Sequence, residues 1–580
     1  MARFESQEDK SLLYKILDVV ELFIGAACLV LLAWEFGSTR WGVALPAEEK
    51  TVIGIFDYIV VIVFLVKYLI NFLSIRNKIK FLKIFMPDTA AAVLLIIFCA
   101  GISGSAQNYI IVCVKIFLGI FYPFRVILHR IIRIHANTPL LIAFSFLTVI
   151  VCGTIVLSLP KSFVSGNLSI LNSFFTATSA TCVTGLVVVD TGTYFTPFGQ
   201  AAILIMIQIG GLSLMTFVAF FIFAFKSKMA FKEELMIRDA LALGQVSGLS
   251  YAVLFIIVGT IFVEAAGAAL LYFCFSFPAD MSVGSKIFFS VFHSISAFCN
   301  AGFGLLSDSF SAYRSSIPLN LVSCFLILTG GLGFAVNMNL IKFSKSLVWK
   351  KQKAKVHQFG LQTKIVILFS LILVATGALA IYLLESANSY KEFSTKDKIL
   401  ASVFQSVSAR TAGFNTVDFS VLSDATKYVI IFLMFIGASP GSTGGGVKTS
   451  TVFVLILMIL SRLRNRENVE IFKKTLPQSV ISNCLSILAI SVTVVFLSSL
   501  ALTITEKGTE FIKLLFESVS AFATVGYSTG ITPFLSAGGK IVLILTMFIG
   551  RIGPLTMVLA MSMQTIPKKY KYPEESVMMG

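Results

Sequence analysis

The chain has 580 residues, of which 57% are hydrophobic and only 13% charged, and its formal net charge is +17. Soluble domains carry charge on about a quarter of their residues, so this composition excludes a soluble enzyme, a nucleic-acid-binding protein and a disordered scaffold. Near-continuous apolar runs are typical of transmembrane helices, not of the alternating strands of a β-barrel. Three of these runs are Leu140 to Leu159, Ile365 to Leu384 and Val542 to Met561.

Four apolar segments precede residue 136, and together they predict an N-terminal four-helix membrane domain at 1–136. They run from about Ile16 to Trp34, Val52 to Leu73, Ala90 to Ile102 and Tyr109 to Leu128. The first segment has no small-residue cleavage site, so we expect a membrane helix and not a cleavable signal. The nine cysteines form no Cys-x-x-Cys pair, and neither a disulfide framework nor a zinc site is expected.

The 46 basic residues collect largely in short segments between apolar runs and in the C-terminal tail. These segments are Arg76 to Lys83, Arg125 to Arg133, Lys226 to Arg238, Lys342 to Lys364, Arg462 to Lys474 and Lys568 to Lys571. Basic clusters at alternate crossings follow the positive-inside rule, which predicts that these segments are cytoplasmic. The alternative is that they bind anionic lipid or a cytosolic partner.

A four-fold repeat begins at about residue 137. One segment in each copy reads Phe-x-Ser/Thr-x-Ser-Ala, then three or four residues, then glycine. The four segments are Phe175 to Gly185, Phe292 to Gly302, Phe404 to Gly413 and Phe516 to Gly526. The glycines recur every 111 to 117 residues, and the third segment is one residue shorter than the others. We expect repeats at 137–245, 246–360, 361–476 and 477–567, followed by a cytoplasmic tail at 568–580.

A second glycine follows each segment inside an apolar stretch. It lies in Ile209-Gly-Gly-Leu, Thr329-Gly-Gly-Leu, Ile436-Gly-Ala-Ser and Ile549-Gly-Arg-Ile. Ordinary packing of small residues would explain one such segment, but not four copies that share a second glycine. The repeating unit is therefore an apolar helix, a short segment that ends in glycine, and a second apolar helix.

Each short segment must enter the membrane and turn back, because its roughly ten to twelve residues cannot cross a bilayer about 30 Å thick. Non-helical backbone at that depth lines a watery cavity or is buried in protein. Four such segments around one axis predict a pseudo-fourfold pore. No carboxylate lies in the five residues before any of the glycines. A cation would therefore be held by backbone carbonyls, assisted by Thr184, Asn300, Thr411 or Thr524.

The third repeat contains a break in its second apolar stretch, and we expect an intramembrane loop at 437–449. Each glycine in a helix costs about 1 kcal/mol and a proline about 3 kcal/mol. The helix-breaking residues here are Pro440, Gly441, Gly444, Gly445 and Gly446. A nucleotide-binding P-loop is a poor alternative, since the run that ends at Lys448 has one residue too many and follows an apolar helix, not a strand.

These motifs resemble the Trk/Ktr/HKT superfamily of potassium transporters, most closely the bacterial TrkH and KtrB pore subunits. The likeness rests on the four segments, on Gly437-Ala-Ser-Pro-Gly-Ser-Thr-Gly-Gly-Gly-Val-Lys448-Thr and on Gly550-Arg551-Ile-Gly-Pro. It implies an all-α membrane protein with four helix–pore loop–helix repeats around a pseudo-fourfold pore, preceded here by four N-terminal transmembrane helices. It also implies a potassium-binding selectivity filter formed by Val183, Thr184, Gly185, Asn300, Ala301, Gly302, Thr411, Ala412, Gly413, Thr524, Val525 and Gly526.

The resemblance further assigns gating to the third-repeat loop, below the filter. The residues implied are Gly441, Gly444, Gly445, Gly446 and Lys448, together with Arg551 as an electrostatic barrier beside the loop. The alternative for Arg551 is structural pairing with carbonyls of a broken helix; either way it faces the interior, since an arginine at mid-bilayer costs at least about 2.5 kcal/mol. Relatives that admit sodium carry serine at the first filter glycine, and Gly185 here favours potassium.

The N-terminal helices depart from the family, since the TrkH type is expected to add two helices and the KtrB type essentially none. Their charges resemble a voltage-sensor-type domain weakly, because Arg125, Arg130 and Arg133 are spaced by five and three residues; the alternative is a structural or assembly role. We expect no cytosolic nucleotide-binding domain in this chain. The resemblance implies a homodimer that works with a separate RCK-type regulatory subunit (TrkA/KtrA-like), for which Lys342 to Lys364 and Arg462 to Lys474 are the candidate docking surfaces.

The sequence thus predicts potassium uptake through a gated, channel-like pore in the bacterial inner (cytoplasmic) membrane, in contact with membrane lipid and with both termini cytoplasmic. Potassium is the expected substrate, with no cofactor and no nucleic acid. A sodium- or proton-coupled symporter is the alternative, although the filter segments supply no carboxylate for coupling. An enzyme is not expected, because the four histidines form no catalytic or metal cluster. For Glu264 and Glu517, structural hydrogen bonding is favoured over ion binding.

Overall fold

The computed structural model describes residues 46–74, 138–164, 169–212, 249–348 and 359–553, together with the isolated positions 24, 25, 27, 28, 31, 34, 35, 89, 92 and 556. Within these residues the regular secondary structure is helical apart from one small hairpin, which confirms the predicted all-α class. Of the four expected N-terminal helices, the second corresponds to α1 (Ala47–Ser74). The other three, at 16–34, 90–102 and 109–128, lie outside the described ranges.

Each repeat consists of a first helix, a pore helix and a second helix. Repeat 1 has α2 (Thr138–Leu157), α3 (Ile170–Thr181), the short α4 (Thr191–Tyr194) and α5 (Pro197–Gly211). Repeat 2 has α6 (Leu249–Cys274), α7 (Val283–Phe298), α8 (Ile317–Leu332) and α9 (Phe334–Val348). Repeat 3 has α10 (Leu361–Glu385), α11 (Thr395–Ser408), α12 (Asp424–Phe435) and α13 (Thr449–Leu463). Repeat 4 has α14 (Gln478–Thr505), α15 (Phe511–Ala523) and α16 (Ala537–Ile552).

Four described helices are long and apolar enough to cross a membrane by length and composition. They are Glu48–Ile70, Val253–Cys274, Leu361–Glu385 and Gln478–Thr505, and α8 with α9 makes a fifth if the bent pair is one span. Their exposed side chains include Phe262, Leu371 and Phe496. Large apolar side chains on the outside of a helix suit contact with lipid, where the hydrophobic effect does not drive them inward.

The pore helices are 12 to 16 residues long, and their C-terminal halves are buried. Three of them begin at a serine whose hydroxyl accepts a hydrogen bond from the first turn, as N-caps do; these serines are Ser169, Ser282 and Ser394. The repeated phenylalanine of each sequence motif anchors its helix, because all four rings are buried. They are Phe175, Phe292, Phe404 and Phe516.

The second helices differ most between repeats. In repeat 2, α8 and α9 meet at an angle of 108°, and Gly333 between them has φ +92°, which suits glycine. In repeat 3, α12 ends at Phe435 and α13 begins at Thr449, so residues 436–448 are non-helical. We refer to 436–448 as the intramembrane loop.

The described part of the N-terminal region is attached to repeat 1. The Lys161 ammonium, next to the end of α2, donates a hydrogen bond to the carbonyl oxygen of Glu35 at 2.7 Å. On α1, Asp57 and Lys67 are buried while Ile55, Ile62 and neighbouring apolar side chains are exposed. The arginines that suggested a voltage sensor lie outside the described residues.

A two-stranded hairpin, β1 (Glu470–Ile471) and β2 (Lys474–Thr475), lies within the basic segment between repeats 3 and 4. Its two turn residues, Phe472 and Lys473, have φ of 49° and 62°. This is the pattern of the two-residue type I′ turn, whose twist matches that of the strands. Lys364, at the start of α10, places its ammonium 5.6 Å from the centre of the Phe472 ring, a cation–π contact that joins the two segments.

Candidate ion pathway

The four turns that follow the pore helices share one backbone conformation. The glycine that ends each sequence motif has positive φ, between 69° and 91°, at Gly185, Gly302, Gly413 and Gly526. The residue two positions earlier also has positive φ, between 50° and 74°, at Val183, Asn300, Thr411 and Thr524. The residue between them does not. Alternation of the sign of φ turns successive carbonyl groups toward the same side of the chain, and non-glycine residues adopt positive φ rarely.

The four glycines lie against one another in sequence order and close a ring. A Cβ built on Gly185 would lie 3.0 Å from Cα of Gly302, and one on Gly302 would lie 2.9 Å from Cα of Gly413. The corresponding distances are 3.4 Å from Gly413 to Gly526 and 2.9 Å from Gly526 back to Gly185. Any side chain here would collide with the backbone of the next repeat. The structure thus brings all twelve predicted filter residues to one centre.

The carbonyl groups of this ring have no hydrogen-bond donor among the described residues. None of the twelve filter carbonyl oxygens accepts a hydrogen bond from any residue that the structure describes. The hydroxyls of Thr184 and Thr524 are likewise buried without a hydrogen-bond partner among those residues. Buried carbonyls in proteins are nearly always paired. A ring of oxygens that have no hydrogen-bond donor among the described residues is therefore suited to coordinating a dehydrated cation.

The intramembrane loop lies directly against two filter residues. A Cβ on Gly444 would lie 2.9 Å from Cβ of Thr411, and one on Gly445 would lie 3.0 Å from Cγ2 of Thr524. Glycine is needed at both positions because no side chain fits between the loop and the filter. Lys448 closes the loop on itself, donating from Nζ to the carbonyl oxygen of Gly444 at 2.6 Å.

The same loop is docked on the bend of repeat 2. The N–H of Ser439 donates to the carbonyl of Gly331 at 3.1 Å, and the N–H of Phe334 donates to the carbonyl of Gly441 at 2.9 Å. Phe334 is the first residue of α9, immediately after the bend at Gly333. A change in the angle between α8 and α9 would therefore act directly on the loop.

Arg551, on the second helix of repeat 4, joins the loop to repeat 1. Its guanidinium donates hydrogen bonds to the carbonyl oxygens of Thr443 in the loop and Gly210 at the end of α5. Backbone carbonyls thus hold this half-buried cation. The loop is the meeting point of contacts from all four repeats: Thr411 and Thr524 above it, Gly331 and Phe334 beside it, and Gly210 through Arg551.

Residues 114–570 match the TrkH family, described as cation transport protein. The chain belongs to the TrkH family. It is 38% identical over 444 residues to the Ktr system potassium uptake protein B of Bacillus subtilis, covering 76% of this chain and 96% of the relative. It is 32% identical over 464 residues to the potassium/sodium uptake protein NtpJ of Enterococcus hirae, covering 78% and 100%.

Among solved structures, the potassium transporter TrkH from Vibrio parahaemolyticus has the same fold, with a TM-score of 0.60 at 16% sequence identity. The match covers 95% of this chain and 99% of the other. The predicted family is therefore confirmed, and this TrkH-family chain is a multi-pass membrane protein whose relatives are named as transport proteins.

The serine of each Ser-Ala pair supports the filter, a role that the motif analysis missed. Its carbonyl accepts from a filter N–H in every repeat: Ser179 from Thr184 at 2.8 Å, Ser296 from Ala301 at 2.8 Å, Ser408 from Ala412 at 2.9 Å and Ser520 from Val525 at 2.9 Å. Its hydroxyl bonds either the filter glycine N–H, in repeats 1 and 4, or the carbonyl one residue beyond the glycine, in repeats 2 and 3. The recurrence of serine at one motif position in all four copies was the available signal.

The missing residue of the third motif is accommodated in the turn. Ala412 pairs with the carbonyl four residues back, whereas the equivalent filter residues of the other repeats pair five residues back. In those repeats, the second glycine (Gly210, Gly330 or Gly550) is pressed against a carbonyl at the end of the pore helix. In repeat 3, the second glycine is Gly437, and a Cβ on it would lie 2.9 Å from Cα of Gly446 in the intramembrane loop. The loop thus lies against Gly437 where the other three repeats place a pore-helix carbonyl.

Two buried charged groups lie behind the filter. The Glu264 carboxylate accepts a hydrogen bond from Nε2 of Gln208 at 3.1 Å, linking the first helix of repeat 2 to the second helix of repeat 1. The Arg410 guanidinium donates to the hydroxyl of Ser370 at 3.1 Å. These contacts connect helices to one another and do not reach the ring of carbonyls.

Proposed function

We propose that this protein mediates potassium uptake into the cell through the ring of filter turns, by a channel-like mechanism. The observation that carries the proposal is the set of twelve carbonyls, presented by four equivalent turns, that accept no hydrogen bond from the described residues. Rings of backbone carbonyls replace the hydration shell of potassium. The relatives named as potassium uptake proteins support the choice of ion.

The proposed filter residues are Val183 to Gly185, Asn300 to Gly302, Thr411 to Gly413 and Thr524 to Gly526. Glycine at all four filter positions leaves the ring lined by backbone, which favours potassium over sodium by the family pattern. The side chains of Asn300 and Thr411 lie 3.3 Å apart and connect repeats 2 and 3 at the start of the filter.

The intramembrane loop is the gate in this proposal. It lies against Thr411 and Thr524 at one end of the filter, so an ion that leaves the filter on that side meets the loop. Gly441, Gly444, Gly445, Gly446 and Lys448 form the obstruction, and Arg551 adds a positive charge beside it. Opening requires the loop to leave its contacts with Gly331, Phe334 and Arg551.

The proposed setting is the bacterial cytoplasmic membrane, with the basic segments and both termini inside and the loop on the cytoplasmic side of the filter. Residues 1–136 form the N-terminal membrane domain and 137–567 the four repeats. An inside-negative potential then favours potassium entry by about 2.3 kcal/mol per 100 mV. The family's transport function and the backbone-lined site support transport, not catalysis, as the activity.

The proposed partners are a second copy of this chain and a cytosolic nucleotide-binding subunit of the RCK type. The basic segments 342–364 and 462–474 are the candidate docking surfaces. In the second, the hairpin is ordered by strand pairing and by Lys364 against Phe472. Because α9 leads directly from Phe334 to the first segment, a subunit bound there could act on the loop.

Substitution of a filter glycine tests the proposal. Gly185→Ser and Gly302→Ser should abolish potassium-dependent growth rescue of an uptake-deficient bacterium, because a side chain at positive φ also collides with the next repeat. Gly284→Ser is the matched control: this glycine lies on pore helix α7, and a Cβ there meets nothing within 4 Å. Rescue by all three variants at the wild-type level would refute the filter assignment.

A further inference from the structure

The residue that follows the repeated phenylalanine in each pore helix is polar and differs between repeats. It is Thr176 in repeat 1, His293 in repeat 2, Gln405 in repeat 3 and Glu517 in repeat 4, and all four side chains are buried. We refer to His293, Gln405 and Glu517 as the anchor residues. Neither the motif pattern nor the filter assignment explains why buried polar groups of three different kinds occupy this position.

The anchor residues share a single backbone contact. Each accepts a hydrogen bond from the N–H three residues beyond the filter glycine of its own repeat. His293 Nε2 accepts from Leu305 at 3.3 Å, and a Glu517 carboxylate oxygen accepts from Thr529 at 3.0 Å. With the Gln405 amide oriented so that both of its ends are satisfied, its oxygen accepts from Thr416 at 3.2 Å. An imidazole, an amide and a carboxylate therefore make the same contact at the same register.

Further contacts fix each anchor residue in place. The Nδ1–H of His293 donates to the carbonyl of Phe289 at 2.8 Å, which sets the tautomer that leaves Nε2 as acceptor. Glu517 also accepts from the hydroxyls of Ser528 at 2.6 Å and Thr532 at 2.8 Å. Since donors surround the Glu517 carboxylate, it serves as a hydrogen-bond acceptor and not as a cation ligand.

Gln405 extends its contact into the neighbouring repeat. Its Nε2 donates to the hydroxyl of Tyr527 at 2.7 Å, and that hydroxyl donates to the backbone carbonyl of Gln405 at 3.2 Å. Tyr527 immediately follows the filter glycine Gly526, and its ring centre lies 4.1 Å from that of Phe419. The pore helix of repeat 3 thus holds the filter turns of repeats 3 and 4 together.

Repeat 1 has no equivalent contact among the described residues. The Thr176 hydroxyl donates to the carbonyl of Asn172 in its own helix at 2.9 Å. Threonine is too short to reach past the filter, so this hydrogen bond is made in three repeats and not in repeat 1. This difference supplies an internal control.

We propose that His293, Gln405 and Glu517 are positioning residues that fix the downstream end of the filter, and that the size discrimination of the ring depends on them. The inference rests on the proposed function of the ring as a potassium filter. Carbonyl cages select an ion by their spacing and field, and the hydroxyls of the Ser-Ala serines reach no further than the residue that follows the filter glycine. Without an anchor residue, a buried N–H loses its acceptor and the turn shifts to pair it elsewhere.

The test is the ion selectivity of the full-length protein in proteoliposomes. It is measured as the ratio of two concentrations: that of sodium and that of potassium at which rubidium uptake falls to half. Glu517→Leu and Gln405→Leu should lower the preference for potassium by about tenfold or more, because each leaves a buried donor unpaired. Glu517→Gln keeps an acceptor oxygen and should preserve the preference. Thr176→Val, at the equivalent position of repeat 1, should leave it unchanged.

Each outcome separates the two levels of the proposal. Absence of rubidium uptake by the wild type would overturn the proposed function itself. Wild-type uptake with the same ion preference in Glu517→Leu, Gln405→Leu and Thr176→Val would overturn only the role of the anchor residues. If the leucine variants do not assemble, Tyr527→Phe decides: it removes one hydroxyl next to Gln405, and an unchanged preference in that variant contradicts the proposal.

Discussion

Backbone packing, more than side-chain chemistry, decides which residues the filter accepts. At Gly185 and its three equivalents, a single added carbon would press on the next repeat. At Gly444 and Gly445 it would press on the filter threonines from the opposite side. Glycine serves two purposes here, positive φ in the turns and close approach between repeats.

The serines of the Ser-Ala pairs give a residue-level prediction. Ser520→Ala removes the hydroxyl that accepts from the N–H of Gly526 at 3.1 Å. Because a buried unpaired donor costs about 1–3 kcal/mol, we expect the KM for potassium to rise about fivefold or more. Uptake kinetics in proteoliposomes measure this. Ser486→Ala is the control, since its exposed hydroxyl bonds only its own helix, and an equal KM in both variants would contradict the prediction.

Many individual residues of the candidate site could be predicted from the sequence. The filter glycines were recognisable because four copies share one pattern, and the structure places them together. The role of the serines and of the anchor residues could not be derived in the same way. Those roles depend on which N–H each side chain reaches after the chain turns back, and His293, Gln405 and Glu517 share no residue type that a pattern could reveal.

The second helices are the elements that distinguish the four repeats. Repeat 2 bends by 108° at Gly333, and repeat 3 is interrupted by the intramembrane loop. The interruption could be predicted from proline and clustered glycines, because both disfavour helix locally. The bend could not, since Gly330, Gly331 and Gly333 in repeat 2 read like the second glycine of any other repeat. Docking of the loop on Gly331 and Phe334 is a tertiary contact without a local signal.

We expect Arg551 to hold the intramembrane loop closed. In Arg551→Gln the guanidinium no longer bonds the carbonyls of Thr443 and Gly210. Hydrogen bonds to charged groups contribute about 1.5–3 kcal/mol, so the displaced loop should become about tenfold more populated and potassium uptake faster. Rubidium influx into proteoliposomes without a regulatory subunit measures the change.

The exposed Arg462, at the end of α13, provides the matched variant. Arg462→Gln removes the same charge without touching the loop and should conduct like the wild type. Slower or unchanged influx in a well-folded Arg551→Gln protein would show that this arginine does not hold the loop closed.

The whole molecule combines a nearly symmetric ring of turns, the proposed filter, with an asymmetric intramembrane loop, the proposed gate. Four equivalent turns build the ring, yet the loop comes from repeat 3, its docking site from repeat 2 and its tie from repeat 4 to repeat 1. Internal repetition in the sequence was sufficient to predict the ring. The repetition did not predict which contacts differ between the repeats, because those contacts form where unlike parts of the chain meet.

For the protein as a whole, we expect passive potassium uptake driven by the membrane potential. With equal sodium and equal pH on both sides, an inside-negative potential of 100 mV should support accumulation of potassium by about fiftyfold, since it contributes about 2.3 kcal/mol per charge. Ion-selective electrodes or rubidium counting on proteoliposomes measure the ratio. Accumulation that requires a sodium or proton gradient would instead indicate the coupled symporter.

The shortened third turn has a consequence for the molecule as a whole. In three repeats, the space beside the second-helix glycine is occupied by a carbonyl at the end of a pore helix. In repeat 3, the space beside Gly437 is occupied by the loop. The shorter turn before Gly413 and the loop against Gly437 are thus two departures from fourfold symmetry that fall in the same repeat.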